Sequence, residues 1–196
     1  NQFDPFAQTW NRLLALFNIG HPVDKVELIV LGGTWSSYTP DYQRYFIERA
    51  FSACNLFGEA VDAHLTLGIR APRPHTAERD HPLTLETPPE LDDTPTLDDA
   101  YQSYNRSINE ALRRAQGELN LPHEAASWAD LERAHLANVD ARCRVVGLTV
   151  ETRPDEITPR EVERLRRLGA TKVQLGVQSL NDDVLKANQR GHTVEE

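Results

Sequence analysis

Apolar and polar positions repeat along this chain in two periods, one helical and one of strand type, on either side of a long stretch that shows neither. Asp4-Pro5 places a capping side chain before a proline at the first helical position, and Trp10, Leu13, Leu14 and Phe17 follow at helical spacing up to Gly20. Val26 to Leu31 is apolar except at Glu27, which predicts a strand of a buried parallel sheet running into Gly32-Gly33-Thr34. Thr39-Pro40 starts the next helix, with Phe46, Ile47, Ala50 and Phe51 on its inner face. From Gly58 to Thr96 the pattern dissolves. Helical spacing returns with Leu97, Tyr101, Tyr104, Ile108, Leu112 and Ala115 up to Gly117, and a shorter helix follows from Ser127 through Trp128, Leu131 and Ala134. Val145 to Val150 reads as a second buried strand, ending in Glu151-Thr152-Arg153-Pro154-Asp155. Thr158-Pro159-Arg160-Glu161 reads as a capping box, with Val162, Leu165 and Leu168 facing inward and Gly169 as the stop. Lys172 to Val177 is the third strand, ending in Gln178-Ser179, and Asn181 caps a last short helix that stops near Gly191.

Strand and helix thus alternate in the order that builds a parallel sheet through crossover connections, an α/β fold with helices outside the sheet. An open doubly wound sheet and an arc of a partial (β/α) barrel both fit, since three strands cannot close a barrel. In either architecture ligands sit at the carboxyl ends of the strands. We expect core at 1–57, an insertion at 58–96 and core again at 97–196.

Composition narrows the class. The 196 residues suffice for one domain with a core, and no apolar run approaches the ~20 residues of a membrane span. We therefore expect no membrane partner and a cytoplasmic setting. The chain has no methionine and starts at Asn1, which reads as a segment of a longer protein. Its net charge of −9 argues against nucleic-acid binding by the whole surface. The acid is concentrated: between Glu59 and Asp99 ten Asp/Glu face three Arg, and half of the twelve prolines lie between Pro72 and Pro95. That stretch reads as an irregular, acidic insertion. Cys54 and Cys143 are too few for a zinc or iron–sulfur centre, so we expect no metal ligand here.

The three strand ends carry ligand-type groups. Gly32, Gly33 and Thr34 follow the first strand, where paired glycines let a backbone approach a ligand. Glu151 and Arg153 leave the second, and Gln178-Ser179 leave the third, with Arg190 soon after. A carboxylate and a carboxamide hold amines or ribose hydroxyls, and a guanidinium pairs with a carboxylate. Together they suit a small zwitterion carrying a sugar. Each motif also has a plain structural use: a tight turn for the glycines, an exposed carboxylate for Glu151, a loop for Arg153-Pro154, helix capping for Gln178-Ser179. Their convergence on one sheet edge is what points to a ligand.

Several stretches resemble a known family. Phe3-Asp4-Pro5-Phe6, Gly20-His21, Val23-Asp24-Lys25-Val26-Glu27 and Gly32-Gly33-Thr34 resemble the first helix and second strand of the Elp3 family. Gly147 to Asp155 (GLTVETRPD), Gly176-Val177-Gln178-Ser179 and Asn188 to Thr193 (NQRGHT) resemble its next two strands, in order. The resemblance implies the central part of a radical S-adenosylmethionine (SAM) domain, a partial β/α barrel that uses SAM and a [4Fe–4S] cluster whose cysteines lie outside this segment. It implies hydrogen abstraction from the acetyl methyl of acetyl-CoA by a 5′-deoxyadenosyl radical. Addition to C5 of the wobble uridine of tRNA then leaves a carboxymethyl group after hydrolysis. By motif match, Gly32, Gly33 and Thr34 approach the methionine amino group, Glu151, Gln178 and Arg190 hold the rest of SAM, and Lys25 contacts acetyl-CoA. The partners implied are tRNA and acetyl-CoA, with other elongator subunits in a eukaryotic-type setting and a stand-alone enzyme otherwise. The segment alone is expected to be inactive. A radical SAM enzyme acting on a small molecule and a non-catalytic tRNA-binding or assembly scaffold are the competing readings.

Overall fold

The computed structural model describes residues 3–67 and 124–195 of the chain, and the elements below are numbered among these residues. Helix α1 (Pro5–Asn18) is followed by strand β1 (Lys25–Val30), a 3-10 turn (Trp35–Ser37) and helix α2 (Pro40–Leu67). Then come α3 (Trp128–Asn138), β2 (Arg144–Thr152), a second 3-10 turn (Pro154–Glu156), α4 (Pro159–Arg167), β3 (Lys172–Leu175) and α5 (Asp182–Ala187). The strands form one parallel sheet in the order β1-β2-β3, with Val30 beside Val150 and Glu151 beside Gln174. Among the described residues the sheet is not closed into a barrel.

Local chemistry sets the ends of these elements. The Asp4 carboxylate accepts from the N–H groups of Phe6 (2.8 Å) and Ala7 (3.3 Å), which satisfies two of the orphan donors at the start of α1. Gly20, with φ +85°, stops the helix: its N–H donates to Phe17 and that of His21 to Leu16, a Schellman ending. Ser127 and Asp130 form a full capping box on α3. At α4 only half of the expected box forms. Thr158 Oγ1 accepts from the Glu161 N–H at 3.2 Å, but the Glu161 carboxylate is bound to Ser36 and Arg164.

Helices cover one face of the sheet. Ile47 and Phe51 of α2, Leu131 and Ala134 of α3, and Leu165 and Leu168 of α4 close over Leu148 and Val150, with Trp35 at the top. A second cluster joins Leu13 and Leu14 of α1 to Cys54, Phe57 and Val61 of α2, and to Val23 and Cys143 beside the amino ends of the strands. Each buried Leu or Phe of these clusters contributes about 1.5–3 kcal/mol. Asn138, also buried, ties α3 to both neighbours. Its side chain donates to Asn55 (2.6 Å) and the Cys143 carbonyl (3.1 Å) and accepts from the Val145 N–H (2.7 Å).

Three sequence expectations need correction. The opposite face of the sheet, with Glu27 and Ile29 of β1 and Gln174 of β3, is exposed among the described residues, and Ile29 is 56% accessible. Among the described residues β1 is therefore covered on one face only, where its apolar run predicted both. Val162 is 50% accessible and does not face inward; Leu165 and Leu168 supply the buried apolar contact of this segment. Helix α2 runs through Gly58 to Leu67, so residues 58–67 are helical. A Cβ at Gly58 would stand 2.9 Å from the Cys143 N and 3.3 Å from the Arg142 Cβ, so this glycine serves close helix–strand approach and not a helix stop. The rest of the 58–96 insertion and the helix expected from Leu97 to Gly117 lie outside the described residues. No helix among the described residues is long and apolar enough to cross a membrane.

Candidate cofactor-binding site

The carboxyl ends of all three strands open into one cleft of about 610 Å³. Gly33 and Thr34 line it after β1, Glu151, Thr152 and Arg153 at the end of β2, and Gln174, Leu175, Gly176 and Gln178 from β3 onward, with Arg190 closing it.

Each arm has its own reason for its shape. Gly32 (φ +100°) and Gly33 (φ +67°) both lie in the left-handed region, which explains the glycine pair where the chain turns out of β1. Gln178 has φ +66° although it carries a side chain, a strained conformation of the kind that clusters at ligand sites. Its carboxamide nitrogen would be 2.9 Å from a Cβ at Gly176, so Gln178 folds back over that glycine. The Gly176 N–H donates to the Thr152 carbonyl at 2.9 Å, and the buried His192 donates through Nε2 to the Val177 carbonyl at 3.1 Å. These bonds tie the segment after β3 to β2 and to the chain after α5.

Arg190 reaches the cleft through a second Schellman ending. Gln189, with φ +52°, turns the chain; its N–H donates to Lys186 (3.1 Å) and that of Arg190 to Leu185 (2.9 Å). The helix therefore ends at Ala187, and Gly191 is not its stop. Gly191 is glycine because a Cβ there would collide with Arg153 and stand 3.2 Å from Asp155 Oδ2. Arg153 and Asp155 form a two-pronged pair, with Nε donating to Oδ1 at 2.8 Å and Nη2 to Oδ2.

The cleft thus gathers Gly33, Thr34, Glu151, Gln178 and Arg190 of the expected site, with Gly32 shaping the turn beneath them. Lys25 is placed elsewhere. It stands at the amino end of β1, paired with Arg144, about 17 Å from the strand's carboxyl end at ~3.3 Å per residue. The sequence reading missed Gln174 and Gly176. Strand alternation carries the signal for Gln174, because it is in register with Glu151 on the same face.

Below the cleft lies a connected set of polar side chains. Ser36 Oγ donates to Glu161 Oε1 at 2.7 Å and is 2.9 Å from Thr152 Oγ1. Arg164 holds both Glu161 oxygens, Nε at 2.8 Å, and also donates to Gln43 Oε1. Burial opposes ionisation of Glu161, but the bonds from Arg164 and Ser36 and the Arg164 charge outweigh it and hold its carboxyl below the usual range.

A parallel α/β sheet with a polar cleft at its strand ends is consistent with a radical SAM domain, and residues 115–196 match the Radical SAM superfamily. Within that class, relatives that match along almost the whole chain include Elp3-type proteins. The chain is 30% identical over 99% of its length to the tRNA uridine(34) acetyltransferase of Methanocaldococcus infernus, and 27% identical over 99% to Elongator complex protein 3 of Drosophila melanogaster. It spans 23% of each of these relatives. A solved structure of the archaeal M. infernus Elp3 with residues 1–46 deleted superposes with a TM-score of 0.59 at 30% identity, covering 98% of this chain and 29% of that one.

Proposed function

We propose that this chain is the SAM-holding part of a radical SAM enzyme that modifies the wobble uridine of tRNA, adding an acetyl-CoA-derived carboxymethyl group at C5. The observation that carries the reading is the convergence of Gly33-Thr34, Glu151, Gln178 and Arg190 on one cleft at three parallel strand ends. The relatives named tRNA uridine(34) acetyltransferase support the substrate.

The cleft fits SAM by its donor set. Arg190 offers two parallel donors to the methionyl carboxylate, the Gly32-Gly33-Thr34 turn approaches the amino group, and Glu151 and Gln178 hold the sugar and base side. SAM bound there supplies radical chemistry, which belongs to the cofactor and not to side chains. The protein's part is to orient it and fix its polar ends. For the [4Fe–4S] cluster this chain offers no ligands. Its two cysteines are buried in the α1–α2 core, and Cys54 is kept protonated by its hydrogen bond with Cys143 and by burial. Lys25, at the far end of β1, is assigned to acetyl-CoA. The net charge of −9 gives no overall attraction to RNA, so the tRNA contact is local.

The test is product formation by the protein in its natural full length, reconstituted anaerobically with iron and sulfide. 5′-Deoxyadenosine that accumulates only with acetyl-CoA and tRNA is the expected result. Equal accumulation without both co-substrates would remove the tRNA reading and favour a small-molecule radical SAM enzyme.

A further inference from the structure

The polar set beneath the cleft touches both of its walls. The Trp35–Ser37 turn directly follows Gly33-Thr34, and Thr152 lies between Glu151 and Arg153. Ser36 has one proton, and at 2.7 Å from a carboxylate it gives that proton to Glu161; Thr152 must then be the donor in its 2.9 Å contact with Ser36. From the other side, Gln43, fully buried, donates to the carbonyls of Trp35 (2.7 Å) and Tyr38 (2.9 Å) and accepts from Arg164. The bonds thus link the α4 pair to the turn directly at Ser36, to Trp35 and Tyr38 by way of Gln43 on α2, and through Ser36 to Thr152 at the β2 end.

We infer that the Glu161–Arg164 pair of α4 is a positioning clamp for the cofactor site, setting the Gly33-Thr34 wall against the Glu151–Arg153 wall through Ser36, Thr152 and Gln43. The inference rests on the proposed SAM site and deepens it. Three features separate the clamp from an ordinary surface ion pair. Glu161 is 13% accessible at its side chain, both its oxygens are used, and its second partner, Ser36, lies on another element. Charge-assisted bonds of this kind hold geometry more tightly than neutral ones, and the half-buried setting of the Glu161 carboxylate strengthens them over a fully exposed pair. Of the five side chains in this set, Thr152 alone also lines the cleft. The device acts by holding the two walls, whose separation decides whether both ends of SAM are gripped at once.

The test uses the full-length protein with its cluster reconstituted and reads SAM affinity by equilibrium dialysis. Ser36→Ala removes the link between the walls and leaves the Glu161–Arg164 pair intact; it should weaken SAM binding about 10- to 100-fold, by analogy with the loss of outer-shell partners at metal sites. Glu161→Gln keeps an acceptor for Ser36 and should fall between wild type and Glu161→Ala. Amide exchange in 34–38 should quicken in Ser36→Ala without ligand. Asn138→Ala, which weakens the fold far from the cleft, should leave SAM affinity unchanged and so separates positioning from stability. SAM affinity within twofold of wild type in both Ser36→Ala and Glu161→Ala would overturn the clamp and leave the proposed function standing. No SAM binding by the wild-type protein would overturn both.

Discussion

Arg153 occupies the space that a side chain at Gly191 would need: a Cβ there would collide with its guanidinium and sit 3.2 Å from Asp155. The loop after β2 and the segment after α5 are therefore shaped against each other, and Arg190 enters the cleft from that contact. Gly191→Ala should force Arg153, only 14% accessible at its side chain, off its two-pronged pair with Asp155. We expect a stability loss of about 1–2 kcal/mol, within the range of ordinary point substitutions, and weaker SAM binding. Urea unfolding together with dialysis against SAM reads both.

Gln178 combines strain with a ligand-type side chain. A left-handed non-glycine residue costs about 1–2 kcal/mol, and Gln178 has φ +66°. Gln178→Gly relieves that strain while removing the carboxamide. Its thermal midpoint should be no lower than wild type, and its SAM affinity should fall. A midpoint drop without loss of SAM binding would mean that Gln178 is there for structure alone.

Asn138 is the buried polar staple of the fold. Asn138→Ala leaves the Val145 N–H and the Cys143 carbonyl without its amide, each at a cost of about 1–3 kcal/mol. Chemical unfolding should show a loss of that order.

His135 ties stability to pH. Its ring is wedged against Phe51, with centroids 4.5 Å apart, and a Cβ at Gly169 would stand 3.1 Å from it. Burial lowers its pKa below the ordinary 6.5, with the Glu132 charge opposing. The unfolded chain thus takes up this proton more readily than the folded one. The stabilisation is complete above about pH 6.5 and is lost as pH falls toward the folded value. Unfolding midpoints taken from pH 8 to pH 5 should fall on the acid side, and His135→Leu should flatten that fall.

Lys25 stands apart from the cleft, at the other end of β1. Lys25→Ala should raise the KM for acetyl-CoA and leave SAM affinity unchanged. A parallel loss of SAM binding would contradict its assignment to a separate substrate.

Much of this fold is legible in local chemistry. Asp4-Pro5, Gly20, Ser127 and Asn181 mark helix ends by capping rules that need no tertiary contact. The apolar runs place the three strands but not their ends: β1 stops at Val30, β2 continues to Thr152, and β3 stops at Leu175, short of the expected Val177. What local rules miss is decided by a neighbour. The helical pattern is lost from Gly58 in the sequence, yet α2 runs on through it with Cys143 against that glycine, and Gly191 looks like a helix stop until Arg153 is seen against it. Glu161 reads as the second half of a capping box because that is its nearest use; Ser36, 125 residues away, draws it off. Ile29 looks buried because apolar composition records hydrophobicity and not which face a helix covers. Gln174 was overlooked as an interior strand residue, although its register with Glu151 places it at the cleft.

The most direct test of the site is SAM binding by the reconstituted full-length protein carrying Arg190→Ala or Gln178→Ala. Loss of affinity by at least about tenfold, or ~1.4 kcal/mol, in both variants, with unfolding midpoints near wild type, is the expected result. Wild-type affinity in both would contradict the assignment of the strand-end cleft to SAM.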